Sequence, residues 1–497
     1  MLDAKRDELI ALSDVTEGHD GLNRRGVLQG LAGTAGLAGL STLGLPSGMQ
    51  GAFAAPSSDP VSMAMHIHAS FSEGTGSMEA HLVKARQFGV DVIWWTEHDF
   101  RQTAHGYRKA VDFLGAHDPE GPFDLSWEPR TCNNPASFSH EFVAYPKSPG
   151  SEQPGALRIQ TQASSSGSWS AYKLDAKAFN STYSTSYVDT TLELDVLAER
   201  LGTDARVVVE IVSSYRPATG SGPAGQYRLQ YRIGGRASTK YERLEGGQLG
   251  VVNLPLHESS GWQTIQMRLQ HDHDALWPAT VSGDASLCLL RIGVMSRNSQ
   301  PASAVVDRLR FNRTRQQVVD PEGYSVELVR DIVRQYRSRF PNIKQFTAAE
   351  VSLVLHLNAF GGDRTLPRYK NQYAVKDGSF LAQEAMVDFL HDHGAAVCLN
   401  HPLQGSGGSN ALANRLITTR GVGADIIEIG TYRNNDSLIR VFDTAARNGV
   451  FMTANGTTDD HSSLGWDKPA SWLTGVGPRR PPRLAMSSPA GRARLVL

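Results

Sequence analysis

The stretch "MAMHIHASFSEG", residues 63–74, decides how the rest of the chain is read. It places His66 and His68 at the end of a short apolar run, with Glu73 and a glycine just beyond. Alternate residues on a strand point the same way, so both imidazoles can face one ion. Taken alone, such a pair is more often a structural or incidental feature of a strand than a metal site, and its company elsewhere in the chain has to decide.

Working outward, "SMEAHLVKARQFGV" (77–90) has helical apolar spacing and stops at Gly89. "DVIWWTEHDF" (91–100) is a second apolar strand ending in Glu97, His98 and Asp99, and "TAHGYRKAVDFLGAH" (103–117) reads as a further helix. This β-α-β order predicts an α/β unit with its chemistry at the carboxyl ends of the strands. From about Phe123 to Thr314 short alternating runs separated by Gly, Ser, Asn and Pro predict an inserted antiparallel β-sandwich. Strand–helix alternation then resumes. It carries Glu350 and His356 in "EVSLVLHLNAFGG", His401 in "AVCLNHP", and Asp459 and His461 in "ANGTTDDHS". The expected organisation is a leader (1–55), an α/β first part (56–122), the insertion (123–314), an α/β second part (315–480) and a Pro/Arg-rich tail (481–497).

The chain has 497 residues and a formal net charge of -1, which gives no electrostatic ground for nucleic-acid binding. Its three cysteines are too few for a disulfide framework or a cysteine-rich zinc site. "NRRGVLQG" followed by "LAGTAGLAGLSTLGLP" and "AFAAP" reads as a twin-arginine export signal. The expected location is therefore periplasmic, cell-wall or extracellular. The apolar stretch is too short and glycine-rich for a membrane span.

Five segments with a histidine or acid at a strand end are the donors that zinc, manganese or iron accept, and a carboxylate such as Glu350 can bridge two ions. Their order resembles the PHP (polymerase and histidinol phosphatase) family. "HIHASFSEG" resembles its first motif, "TEHDF" its T-D-H-N and "GTTDDH" its G-x-S-D-x-H. "EVSLVLHLNAFG" is similar to the branch containing carbamate-ester hydrolases and related secreted proteins. The resemblance covers about residues 61–100 and 344–462. It implies a distorted (β/α)7 TIM-like barrel with two or three divalent metals. By motif, His66, His68, Glu350 and Asp459 would hold one, Glu350, His356 and His401 a second, and Glu73, His98 and His461 a third. Glu73 and Glu97 both depart from the usual Asp, and Glu97 is expected behind the ligands.

The implied reaction is metal-dependent hydrolysis of a phosphate mono- or diester, in a small molecule or a polymer. Carbamate, carboxylic ester or amide hydrolysis is the alternative. Glu350, His98 and His461 are the catalytic candidates, and Arg433 is the candidate for a substrate anion. A non-catalytic glycan-binding role is the reading from another class. It rests on Trp169, Tyr172, Tyr227, Tyr231, Trp262 and Trp277 in the insertion.

Overall fold

The computed structural model describes residues 61–99, 102, 110–111, 113, 126–151, 155–177, 186–218, 222–257, 261–362, 377–430, 435–466 and 474–476. The twin-arginine leader, Arg433 and the C-terminal tail lie outside the described residues.

The chain opens with β1 (Val61–Ala64), α1 (Met78–Phe88) and β2 (Val92–Trp95). Helix α1 starts where Ser77 accepts a hydrogen bond from the Ala80 amide and ends at Gly89, whose φ of 65° suits a residue without a Cβ. The sandwich follows: β3 (Ala110–Val111), β4 (Ser126–Cys132), β5 (Ser137–Val143), β6 (Ala156–Gln162), β7 (Trp169–Lys177), β8 (Thr190–Arg200), β9 (Arg206–Arg216), β10 (Gly225–Ile233), β11 (Tyr241–Leu244), β12 (Leu249–Leu254), β13 (Gln263–Arg268), α2 (Leu269–Leu276), β14 (Leu287–Arg297) and β15 (Pro301–Arg313). The second part contains α3 (Pro321–Arg337), β16 (Lys344–Thr347), β17 (Ala349–Val351), β18 (Leu357–Gly361), α4 (Phe380–Asp392), β19 (Ala395–Leu399), α5 (Ser409–Thr418), β20 (Ile426–Gly430), α6 (Asn435–Arg447), β21 (Thr453–Gly456) and β22 (Thr474–Val476).

Two sheets make the sandwich. The larger runs β11-β12-β10-β9-β14-β7-β4, and the smaller runs β13-β8-β15-β6-β5 with β3 on β15. Strand β8 shows the pattern that drives them together. Leu192, Leu194 and Val196 are fully buried, while Glu193 and Asp195 face outward to Arg310. The interior is one continuous apolar cluster that includes Phe113, Tyr172, Tyr227, Tyr231 and Trp277. Four of the six aromatics considered for glycan binding are therefore core, and Trp169 is the one that stays open. The expected helix over 103–117 is also corrected within the described residues. Ala110–Val111 pair with β15, and burial of Phe113 in the sandwich explains that choice.

The α/β part is not the expected (β/α)7 barrel. Among the described residues its strands form two open sheets, β16-β2-β1-β22 and β17-β18-β19-β20-β21, with no closed ring. The physical reason lies in "KQFTAAEV". The run breaks at Ala348, so Lys344–Thr347 pair with β2 while Ala349–Val351 pair antiparallel with β18. Strand β18 is antiparallel to β19 as well, which strand–helix alternation did not foresee. With the barrel goes the fold-based ground for a PHP-type phosphoesterase. Strands β19 and β20 are buried along their whole length, matching their near-continuous apolar sequences. Met65, Phe360, Ala396, Cys398 and Ile426 form a core spanning both sheets. Outside that core the sheets meet at single bridges, Ile67–Asp460 and His98–Glu350.

Sandwich and α/β part are clamped together at Asp284, which is fully buried. Its Oδ1 accepts from Ser70 Oγ and the Met78 amide, both at 2.8 Å. Its Oδ2 accepts from the Glu79 amide at 2.9 Å and from the Tyr336 hydroxyl at 2.7 Å. Arg216 donates to the carbonyls of Val281 and Asp284, both at 2.6 Å, and holds the loop from behind. No helix among the described residues is long and apolar enough to cross a membrane.

Candidate metal centre

The histidine pair lies just past β1, at the carboxyl end of the strand. Glu97 and His98 follow β2, His401 follows β19, and Asp459 and His461 follow β21. Glu350 sits in β17, and the short hairpin from β17 to β18 brings His356 back over it. Nine of the sequence candidates, His66, His68, Glu73, His98, Glu350, His356, His401, Asp459 and His461, thus stand in one cluster; Arg433 lies outside the described residues.

Glu350 is the hub, and it is buried. Its Oε1 lies 3.3 Å from His66 Nε2, 2.9 Å from His356 Nδ1 and 3.4 Å from His401 Nε2. Its Oε2 lies 3.2 Å from His68 Nε2 and 2.8 Å from His98 Nδ1. Asn400 Nδ2 donates to Oε1 at 2.9 Å. Asp459 Oδ1 stands 3.3 Å from both His66 Nε2 and His68 Nε2, which are 3.1 Å apart.

These separations test whether an ion fits. Ligands about 2.0–2.2 Å from a tetrahedral ion lie about 3.3–3.6 Å from one another. The contacts of His66 and His68 with each other, with Glu350 and with Asp459, at 3.1–3.3 Å, are close to such edges. On the far side His98 Nε2 lies 2.9 Å from Glu73 Oε1, and His461 Nε2 is 3.6 Å from the same oxygen. The Glu73 carboxylate therefore reaches both imidazoles. His98 also falls in one group with Glu350 and His356, so it borders two candidate ion positions.

Backbone geometry supports a built site. His401 and Asp459 have φ of 28° and 45°, left-handed values that most residues avoid. Such strain costs on the order of 1–3 kcal/mol and persists where the surroundings over-determine it. The loop "EGTG" is fixed by close approach. The Thr75 and Gly76 amides donate to the His461 carbonyl at 2.6 and 3.0 Å, and a Cβ on Gly76 would meet the Ser462 backbone at 2.6 Å. This ties the first motif to the last.

Electrostatics differ among the imidazoles for physical reasons. Burial works against a charged His66, but the carboxylates of Asp459, Glu428 and Glu350 outweigh it and raise its pKa well above the usual value. Burial lowers His68, with His461 and His98 beside it adding to the effect. His98 is buried too, yet Glu73 and Glu350 push it up to about 10. Burial opposes ionisation of Glu350, but the neighbouring His356, His98 and His66 hold its pKa well below the carboxylate range. Protons on His66 and His98 offset the carboxylates, and an ion bound among them would displace those protons.

Sequence reading missed Glu428, in the middle of "ADIIEIG" and fully buried. His66 Nδ1 lies 2.6 Å from its Oε1, and its Oε2 accepts from the His401 amide at 2.6 Å. A carboxylate there sets the His66 tautomer, leaving Nε2 free to face the cluster. A lone acid inside an apolar, fully buried strand was the available signal. Replacing it, Glu428→Gln, is expected to weaken metal affinity about 10–100-fold while the protein stays folded, read by competition with a chromogenic chelator. Glu97 is buried behind the ligands as expected. It accepts from the Ala69 amide at 3.0 Å and from Ser72, and burial raises its pKa to about 7.

Other histidine pairs do other work. His391 pairs with Asp425 at 2.9 Å, and His273 is packed in the sandwich between Tyr187 and Trp277.

No family model matches the chain, and no curated protein matches it. Among solved structures, the catalytic domain of Humicola grisea Cel12A is 12% identical, with 36% of this chain and 87% of that chain covered at a TM-score of 0.25. The family 11 carbohydrate-binding module from Clostridium thermocellum, solved with a mixed-linked tetrasaccharide, is 10% identical, with 41% and 95% covered at a TM-score of 0.22. A loop-swap mutant of Necallimastix patriciarum Xyn11A is 13% identical, with 41% and 96% covered at a TM-score of 0.23.

Proposed function

We propose that the chain is a metal-dependent hydrolase that cleaves an ester or amide bond at a centre of two or three divalent ions (zinc, manganese or iron). The observation that carries this is Glu350, one buried carboxylate contacted by five imidazoles. His66, His68, Glu350 and Asp459 would hold one ion, Glu350 and His356 with His98 or His401 a second, and Glu73, His98 and His461 a third. Bound there, the ions would polarise the scissile group and make water nucleophilic near neutral pH. Glu428 and Asn400 keep His66 and Glu350 in place. Where only two ions bind, His461, whose side chain is 34% exposed and more open than the other candidates, would instead deliver a proton to the departing oxygen or nitrogen. Water's oxygen stays with the acyl part, and the leaving group departs protonated.

A second reading, glycan binding by the sandwich, is favoured by one observation. Trp169, Phe138 and Tyr145 expose large aromatic surface, at 44%, 50% and 74%. One experiment separates the two. Purified protein is analysed for metal, stripped with a chelator, and reloaded with zinc or manganese. At each stage it is offered aryl carboxylate, carbamate, anilide and phosphate esters, and its retention on insoluble glucan and xylan is measured. The hydrolase reading expects bound metal and an activity that chelation abolishes and reloading restores. Absence of metal with glycan retention indifferent to chelation would overturn it in favour of the sandwich.

A further inference from the structure

A small pocket opens beside His356 and His401. Its position matters because both imidazoles belong to its lining, so whatever enters lies beside the cluster. Its apolar lining is Leu355, Phe380, Leu399, Pro402 and Leu412, and Asn400 and Gln404 stand in its polar part with the two imidazoles. The one cation in its described lining, Arg415, is already engaged. Its guanidinium lies 3.8 Å from the Phe380 ring centroid, donates to Gln383 Oε1 at 2.9 Å, and pairs with Glu384 at 3.3 Å. Gln383 is occupied too, donating to the Leu355 carbonyl at 3.0 Å. Arg415 and Gln383 thus brace α4 against α5 and leave Phe380, Leu355 and Leu412 as an apolar slot on that side of the pocket.

We infer that this slot is the substrate's side-group subsite and that the substrate carries an aliphatic group on the carbonyl side of the bond to be cleaved. A reacting carbonyl at the centre would direct its chain between Phe380, Leu355 and Leu412. Each methylene buried there contributes about 0.8 kcal/mol, roughly a fourfold change in affinity. This rests on the proposed hydrolase reading and narrows its substrate class to acyl esters or amides of extended or branched aliphatic acids.

The test uses the zinc-loaded full chain and the straight-chain carboxylates from acetate to octanoate, whose affinities are read by calorimetry. The expected result is affinity that rises roughly fourfold per methylene until the slot is filled. Phe380→Ser, at a partly exposed position, should reduce that gain per methylene, and Leu355→Trp should shorten the series by filling the slot. Zinc content should be unchanged in both. A series flat in the wild type, or identical slopes in both variants, would overturn the subsite while leaving the metal centre standing. Failure of the chain to take up zinc would remove the hydrolase reading and the subsite with it.

Discussion

Glu350→Ala is expected to lower kcat/KM by at least about 10³-fold and to cut bound metal by at least one ion per chain. Three decades correspond to about 4 kcal/mol of lost transition-state stabilisation. The size of the effect follows from what the carboxylate touches. Five imidazole nitrogens and the Asn400 amide surround it at 2.8–3.4 Å, so its loss strands them all in a buried space. Breaking a buried ion pair by removing one partner costs about 3–5 kcal/mol, and here one partner serves several. Glu350→Gln keeps the shape and one acceptor but not the charge, so it should retain part of the stability and little of the metal. Elemental analysis beside steady-state kinetics on the same samples decides the matter. Full metal content in Glu350→Ala would show that the carboxylate is not a ligand.

The second large effect is expected far from the ligands, at Asp284→Ala. The change removes the acceptor for Ser70, Tyr336 and the first two amides of α1, all buried. An unpaired buried donor costs about 1–3 kcal/mol, and a helix N-terminus also loses a compensating negative charge. A destabilisation of about 4 kcal/mol is the expected outcome, read as a fall in the urea midpoint. Ser70 sits two residues from His68, so metal affinity should fall in the same variant. Asp284→Asn keeps an acceptor but turns an NH₂ group toward donors, and should fall between. An unfolding free energy within about 0.5 kcal/mol of wild type would show that Asp284 does not clamp the two parts together.

Much of the site was legible because chemistry-bearing residues recur at strand ends, where apolar runs stop and His or Asp begins. The inserted sandwich was legible for the same kind of reason, since strands such as β8 alternate cleanly. The closed barrel was not in the sequence. Parallel and antiparallel pairing of a short apolar run look alike in one dimension, and nothing in "HLNAFGG" announces that β18 runs against both its neighbours. The break at Ala348 is likewise a three-dimensional event, set by which partner each half of the run finds. Glu428 escaped because its role depends on a residue 362 positions away. The aromatics of the sandwich misled in the opposite direction. Tyr172, Tyr227, Tyr231 and Trp277 have the composition of a sugar platform and the burial of a core.

The single bridges Ile67–Asp460 and His98–Glu350 join the two open sheets at candidate ligands or at residues next to them. On the proposed function, the ions would therefore act as rivets as well as reagents. Each would fasten side chains from one sheet to side chains from the other, where the backbone offers one rung of the ladder. Starved of metal, the protein would lose its chemistry and slacken along this join at the same moment. Its working lifetime and its activity would then answer to one supply.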